Sequence, residues 1–209
     1  MVISGASWFG LGRITAAIPK IDVFKDLKDR PEKASSAVNY LVVGSDTREG
    51  LTRAESRRLR VGTTKVAAGK RSDTMLLIHI SKKRDKAAII SIPRDTFALI
   101  PEHKSISSEK IIPASYSKIN SAYNWGGAPL LIQTIENETG VRIDHYIEIG
   151  FAGFAGMVDA LGGIEVCTKR DINDPGSHLV LPAGIHTLNG VEALKYVRTR
   201  DFDGMGDLG

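Results

Sequence analysis

The stretch Asn39-Tyr-Leu-Val-Val-Gly-Ser-Asp-Thr-Arg48 contains the pattern that decides the fold. Its first half, Tyr40-Leu-Val-Val-Gly44, is a short apolar run that ends in glycine, and its second half is polar. A run of this kind is typical of a buried strand that delivers a loop at its carboxyl end. The stretch therefore predicts a buried strand, with Asp46 in the loop that follows it.

Two further apolar runs come later in the chain, and a short polar segment separates them. Thr74-Met-Leu-Leu-Ile-His-Ile80 and Lys86-Ala-Ala-Ile-Ile-Ser-Ile92 read as strands, and Lys82-Lys-Arg-Asp85 between them suits a compact turn. Pro93 ends the second run, because proline has no N–H to donate to a sheet. We therefore predict a hairpin, with His79 packed in the core as part of the apolar pattern.

Helical patterns appear in the second half of the chain. Residues 127–139 have apolar side chains at helical spacing, and Gly140 suits the end of that helix. Residues 152–161 repeat the pattern, residues 164–168 read as a strand, and residues 189–196 read as a helix capped by an asparagine. Strands and helices are thus interleaved, which favours a mixed α/β sandwich of layers in one domain.

The composition is that of a globular protein and excludes several classes. The chain has 209 residues, of which 42% are hydrophobic and 25% charged, so it is neither disordered nor fibrous. A net charge of +4 is too small to indicate nucleic-acid binding by itself. The single cysteine, Cys167, excludes an internal disulfide and a cysteine-based zinc cluster. No run approaches the roughly 18 apolar residues that a membrane-spanning helix requires.

A basic segment covers residues 53–71. Its cations face a single acid, Glu55, and it contains few large apolar residues. This pattern predicts a mobile, solvated surface loop. A nucleic-acid-binding regulator that uses the same loop is the alternative, although no recognition-helix pattern accompanies it.

Three clusters of acidic and basic residues lie where predicted strands begin or end, and a fourth closes the last helix. The clusters are Gly44-Ser-Asp-Thr-Arg48, Arg71-Ser-Asp-Thr74, Ser91-Ile-Pro-Arg-Asp-Thr96 and Arg198-Thr-Arg200. Ligand sites in α/β sheets favour the carboxyl ends of strands. If the strands are neighbours, Asp46, Asp73 and Arg94 converge on one rim of the sheet.

Carboxylates together with several arginines suit a phosphorylated ligand. Carboxylate oxygens can hold Mg²⁺, which also binds substrate phosphates. Arginines bind phosphate oxygens in a bidentate manner and neutralise charge as a phosphoryl bond breaks. The clusters therefore predict a phosphate site with magnesium.

The order of these motifs resembles one family. Besides the clusters above, the chain contains Lys118-Ile-Asn-Ser-Ala-Tyr123, Asp159-Ala-Leu-Gly-Gly-Ile164 and Tyr196-Val-Arg-Thr-Arg200. This series is similar to the LytR-CpsA-Psr family of cell-envelope proteins, over roughly residues 38–209. The spacing and the polar linker near the start resemble those of actinobacterial members.

The resemblance implies a single-domain layered α/β/α sandwich with a mixed central sheet. It implies a juxtamembrane or linker segment over residues 1–37 and a catalytic domain over 38–209. Family members are membrane-anchored enzymes that face outside the cytoplasm, and they transfer a glycopolymer from a polyprenyl-pyrophosphate carrier onto peptidoglycan through a phosphodiester link. The expected cofactor is Mg²⁺. The expected partners are the lipid-linked glycan, peptidoglycan and the membrane, the last through a single-pass anchor outside this chain, and no nucleic acid.

The resemblance also implies roles for individual residues, which we carry over motif by motif. Asp46 and Asp73 match the aspartates associated with Mg²⁺. The pyrophosphate ligands are expected to be Arg71, Arg94, Lys118, Arg198 and Arg200. Arg94, Asp95 and Asp73 are the expected catalytic residues, with Asp95 orienting Arg94 or transferring a proton.

One departure from the family pattern concerns the end of the chain. In the family, the segment matching Asp207-Leu-Gly209 is followed by an arginine and an Arg-Gln pair, so we expect this chain to be truncated. The apolar opening, residues 1–11, is either an ordinary N-terminal element or the tail of a membrane helix.

Two other functions stay open: hydrolysis of the same lipid-linked pyrophosphate, and a non-catalytic role as an envelope regulator.

Overall fold

The central sheet has four strands in the order β3-β2-β1-β8, in a computed structural model that describes residues 21–46, 52–59, 61, 72–106 and 110–199. These strands are β1 (Val38–Ser45), β2 (Ser72–Ile80), β3 (Ala87–Ile92) and β8 (His145–Ile149). β2 is antiparallel to both β1 and β3, whereas β8 is parallel to β1. The mixed central sheet and the β2–β3 hairpin that the sequence predicts are therefore confirmed.

The other strands form two-stranded ribbons, and helices lie between them. The ribbons are β4 (Phe97–Ile100) with β7 (Ser115–Lys118), β5 (His103–Lys104) with β6 (Ile111–Ile112), β9 (Ile164–Thr168) with β12 (Gly184–Leu188), and β10 (Ile172–Asp174) with β11 (Leu179–Leu181). The helices of the described ranges are α1 (Arg53–Leu59), α2 (Ile119–Thr139), α3 (Phe151–Ala160) and α4 (Gly190–Val197). Within those ranges, no helix combines the length and the apolar character needed to cross a bilayer.

One face of the sheet contributes to the main core, because every second side chain of its strands points to that face. Leu41, Val43 and Met75 are fully buried, and successive residues of a strand point to opposite faces. They pack in one cluster with the apolar side chains of α2, such as Leu131 and Ile135. A second apolar cluster joins α3 and α4 to the ribbons that follow β8. Helix α2 thus packs on one face of the central sheet, and α3 and α4 pack with the ribbons that follow β8.

Helix α2 begins earlier in the chain than the sequence pattern predicts. The predicted start, Gly127, is a break inside the helix, with φ 68° and ψ −159°, and Pro129 lies just after it. The turns before the break, from Ile119 onward, contain several polar residues and Gly126, which conceal their helical character in the sequence. Gly140 ends the helix as predicted, in the left-handed region at φ 66°, and its N–H donates to Glu136 O at 2.8 Å.

The remaining helix and strand predictions agree with the structure, with one exception. Asn189 caps α4 through a capping box with Glu192, as predicted for the asparagine. The basic segment is wrongly predicted as a loop throughout, because residues 53–59 form α1, in which Glu55 is bonded to Thr52 in the first turn. Residues 62–71 of that segment lie outside the described residues.

The prediction of a core histidine at position 79 is wrong. His79 is exposed, and its Nδ1 lies 2.7 Å from Asn39 Oδ1 on the neighbouring strand. The two residues are register partners near the start of β1. The imidazole therefore has a polar partner at the end of the strand pair rather than an apolar environment.

A buried ion pair fastens the segment before β1 to the core. Arg30 Nε and Nη2 donate to the two oxygens of Glu136, at 3.0 and 2.7 Å. The same carboxylate accepts from Ile143 N at 2.7 Å, and Arg30 also donates to Ile143 O. Glu136 is only 1% exposed, so these bonds compensate the cost of burying its charge.

Replacement of Arg30 by methionine should destabilise the protein strongly. Arg30→Met leaves the Glu136 carboxylate buried without its cation, and we expect a loss of about 3–5 kcal/mol in the free energy of unfolding, measured by urea denaturation. The matched control is Lys33→Met, which breaks the more exposed Lys33–Asp144 pair and should cost less than about 1 kcal/mol. Equal losses in the two variants would contradict this prediction.

Candidate functional site

The topology brings the polar clusters to one edge of the central sheet. Strands β1, β3 and β8 run in the same direction, so their carboxyl ends lie at the edge where β2 begins. We call this the carboxyl edge. Asp46 directly follows β1, Arg94 follows β3, and Asp73 is the second residue of β2. The sheet therefore brings these three positions to one rim, as the sequence analysis predicts.

An irregularity in the β1–β2 ladder lies beside Asp46. Gly44 is in register with Thr74, whereas Ser45 is in register with Ser72, so the ladder shifts at Asp73. Bulges of this kind locally change the direction of a strand, and they are frequent near functional sites. The carboxylate of Asp46 suits a hard cation such as Mg²⁺, which prefers oxygen ligands and retains waters or phosphates. In the part of the chain that the structure describes, no three His, Cys, Asp or Glu residues cluster as a metal site by themselves.

The turn after β3 is joined to the beginning of α2 by backbone hydrogen bonds. Thr96 closes the turn by donating from its N–H and its hydroxyl to Pro93 O, at 3.0 and 2.7 Å. Ile119 N donates to Thr96 O at 2.8 Å, and Asn120 N donates to Arg94 O at 3.2 Å. The turn thereby accepts two of the N–H groups that a helix start leaves without an internal partner. These bonds fix Lys118, which immediately precedes α2, beside Arg94 and Asp95.

Arg94, Asp95 and Lys118 form a charged cluster at the carboxyl edge. Lys118 Nζ lies 2.7 Å from Asp95 Oδ1, and Arg94 Nε lies 3.9 Å from Asp95 Oδ2. Asp95 and Lys118 are both more than half exposed, whereas Arg94 is 27% exposed. The two cations are thus held next to each other by one carboxylate and are open to a ligand from solvent.

The hydrogen bond from Lys118 keeps the pKa of Asp95 below its usual range. Its carboxylate is therefore ionised at neutral pH and is a weak acceptor of protons. Of the two roles expected for Asp95, the geometry favours orientation of Arg94 and Lys118 over proton transfer.

Of the remaining predicted site residues, the structure describes some and not others. Arg198 ends α4, and its guanidinium carbon lies 5.5 Å from the centre of the Phe151 ring. Phe151 begins α3 directly after β8, so Arg198 also lies near the carboxyl edge. The side chain of Asp73 and the whole of Arg71 and Arg200 lie outside the described residues.

A partly buried polar network that the sequence analysis misses lies behind the carboxyl edge. Glu148 accepts hydrogen bonds from Tyr123 on α2, at 2.6 Å, and from Tyr146 on β8, at 3.0 Å. The Tyr123 hydroxyl also contacts the side chain of Ser45, the last residue of β1 before Asp46. The sequence contains one signal for this network, because Glu148 is an acidic residue between two isoleucines in the stretch His145-Tyr-Ile-Glu-Ile149. The network ties β1, α2 and β8 together at the base of the loop that carries Asp46.

The comparison with protein families assigns the fold and the motifs to one group. The LytR_cpsA_psr family model matches residues 14–209. The chain belongs to the LytR_cpsA_psr family. A relative from Corynebacterium glutamicum, named "Probable cell wall biosynthesis protein LcpB", is 40% identical over 174 residues, which cover 83% of this chain and 38% of that protein. This likeness agrees with the actinobacterial character suggested by the sequence.

Relatives in the same family include proteins of known structure. The polyisoprenyl-teichoic acid–peptidoglycan teichoic acid transferase TagT of Bacillus subtilis is 35% identical over 139 residues, covering 64% of this chain and 40% of TagT. A structure of YwtF (TagT) with bound octaprenyl pyrophosphate lipid superposes with a TM-score of 0.57 at 28% identity, covering 88% of this chain and 61% of that one. This chain thus spans about two fifths of the length of these curated relatives.

The network around Glu148 should make this LytR_cpsA_psr domain sensitive to alkaline pH. Burial and the Glu148 carboxylate raise the pKa of Tyr123 and of Tyr146 above the usual value of 10. The unfolded chain therefore releases these protons first, so their contribution to stability is complete below pH 10 and declines above it.

We expect the free energy of unfolding to fall above pH 10, by up to about 1.4 kcal/mol per pH unit for each tyrosine. Urea denaturation between pH 8 and pH 11 measures this slope. The Tyr123→Phe/Tyr146→Phe double variant should show a shallower slope, although it is less stable at pH 8. A double variant that retains the full slope would refute the assignment.

Proposed function

We propose that this chain carries the catalytic domain of a phosphotransferase that moves a glycopolymer from a polyprenyl-pyrophosphate carrier onto peptidoglycan through a phosphodiester link. The observation that supports it most is the Arg94–Asp95–Lys118 cluster on the same sheet edge as Asp46. The likeness to YwtF (TagT), whose structure holds octaprenyl pyrophosphate lipid, supports a lipid-linked pyrophosphate as the ligand.

The charged cluster would bind the pyrophosphate of the donor. Arg94 and Lys118 would donate to the phosphate oxygens, and Asp95 would keep both cations in place. Arg198 would approach from the end of α4, with Arg71 and Arg200 as further ligands. Asp46 and Asp73 would hold Mg²⁺, which when bound neutralises phosphate charge and orients its oxygens.

The reaction requires an acceptor hydroxyl to attack the phosphorus atom that carries the glycan. The oxygen of the hydroxyl forms the new phosphodiester bond, its proton is released, and the bond to the second phosphate breaks. Polyprenyl phosphate then leaves as an anion. The cations around Asp95 would stabilise that leaving anion, so no covalent intermediate with a protein nucleophile is needed.

The proposed reaction places the domain in the cell envelope. Its partners would be the lipid-linked glycan and peptidoglycan, on the extracytoplasmic face of the cell membrane. The names of the relatives as cell wall biosynthesis proteins and teichoic acid transferases support this location. The proposal assigns no nucleic-acid partner to the chain.

Hydrolysis of the same pyrophosphate is the second candidate, because Asp95 and Lys118 are open to water. The two reactions use the same residues and differ in the acceptor. Incubation of a glycan-bearing lipid pyrophosphate with and without peptidoglycan separates them. Polymer attached to peptidoglycan supports transfer, and free phosphorylated glycan formed at an equal rate in both samples supports hydrolysis.

Calorimetric binding of a short polyprenyl pyrophosphate tests the assignment of the cations. We expect Arg94→Ala and Lys118→Ala each to weaken binding by roughly 10- to 100-fold, because each loses a charge-assisted hydrogen bond. The matched control is Lys86→Ala, which removes an exposed lysine at the opposite end of the sheet and should bind like the wild type. Normal affinity in both site variants would remove the cluster from the binding site.

The same measurement with and without Mg²⁺ tests the aspartates. We expect Mg²⁺ to tighten binding by the wild type and to have a much smaller effect on Asp46→Asn. Thermal unfolding without ligand serves as the control for folding. If Asp46→Asn lowers the melting temperature strongly and responds to Mg²⁺ like the wild type, Asp46 is a structural residue rather than a metal ligand.

A further inference from the structure

The β4–β7 ribbon has one buried face and one exposed apolar face. Ala98 and Ile100 on the inner face are 1% and 0% exposed and pack in the main core. The outer face carries Phe97, Leu99 and Tyr116, which are 71%, 38% and 64% exposed. Large apolar side chains grouped on an exposed surface indicate an interaction site more often than those scattered singly.

The two aromatic side chains of the outer face stack on each other and form one aromatic surface. The rings of Phe97 and Tyr116 are stacked, with centroids 5.3 Å apart and planes 14° from parallel. The ribbon beneath them is fixed by its inner face and by a hydrogen bond from Leu99 N to Glu138 Oε1, at 2.9 Å. The aromatic surface is therefore preorganised, so a ligand would lose little free energy in ordering it.

This aromatic surface is continuous with the charged cluster of the candidate site. Phe97 and Lys118 are register partners in the ribbon, which places their Cα atoms about 5 Å apart. Lys118 in turn contacts Asp95, and Thr96 accepts the N–H of Ile119. A group attached to a phosphate bound at Lys118 would thus lie within one sugar-ring length of Phe97.

We propose that the outer face of the β4–β7 ribbon binds the first sugar rings of the donor glycan, next to the pyrophosphate; this inference rests on the proposed function. A pyranose has a face of C–H groups, which complements the negative face of an aromatic ring, while its hydroxyls point outward. The exposed carboxylate of Glu138 beside Leu99 provides an acceptor for such hydroxyls. The charged Lys118 at the border favours a polar, phosphate-linked sugar over a hydrocarbon tail.

Two probes test this inference by calorimetry: a polyprenyl pyrophosphate, and the same lipid with an N-acetylhexosamine on its terminal phosphate. We expect the wild type to bind the sugar-bearing probe more tightly. Phe97→Ala and Tyr116→Ala should each weaken binding of that probe by about 3- to 10-fold and leave binding of the sugar-free probe unchanged. Tyr116→Phe, which retains the ring, should bind the sugar-bearing probe like the wild type.

The outcomes separate this inference from the proposed function. Ile89→Ala, which shortens an exposed apolar side chain on β3, is the matched control and should bind both probes normally. If the wild type binds neither probe, the proposed function fails. If it binds both equally, or if the ring variants lose affinity for both probes alike, the sugar site is overturned while the pyrophosphate site stands.

Discussion

The ion pair between Arg30 and Glu136 is the interaction on which the arrangement of the domain depends. Its carboxylate lies near the end of α2 and binds both the segment before β1 and the backbone before β8. The segment before β1 thereby meets the end of α2 and the backbone before β8, more than 100 residues away in sequence, at one buried charge. Because removal of either partner would leave a charge without compensation, the pair allows few alternative packings of these segments. The sheet can then present its opposite edge to a ligand without a change in its own packing.

The candidate site combines a rigid base with half-exposed charges. The backbone bonds of Ile119 and Asn120 to the turn after β3 position Lys118, and the network of Glu148 with Tyr123 supports the end of β1. The charged groups at the edge keep access to solvent, which a large charged substrate requires. A site of this kind gains from preorganisation, because the cations are already next to each other before the ligand arrives.

Local patterns in the sequence predict much of the fold, and tertiary contacts explain what they miss. The run from Tyr40 to Gly44 predicts β1 because apolar residues alone specify a buried strand. The first turns of α2 are concealed, since their start is stabilised by carbonyls of Arg94 and Thr96, which are distant in sequence. The convergence of Asp46 and Arg94 follows from strand polarity and is predictable. The hydrogen-bond network of Glu148 is not predictable from the sequence, because its partner Tyr123 lies on another element.

The break at Gly127 divides α2 into two parts with different neighbours. The part before it follows Lys118 and contributes Tyr123 to the network with Glu148, whereas the part after it carries Glu136; both parts also contribute buried side chains to the main core. With φ 68° and ψ −159°, Gly127 is in a conformation that is essentially reserved for glycine. The continuous hydrogen-bonded spiral that would couple the two parts is interrupted there. The direction of the turns that follow Lys118 is therefore set by the torsion angles of a single glycine, so a substitution at this one position would change the geometry of the candidate site without altering any of its charged residues.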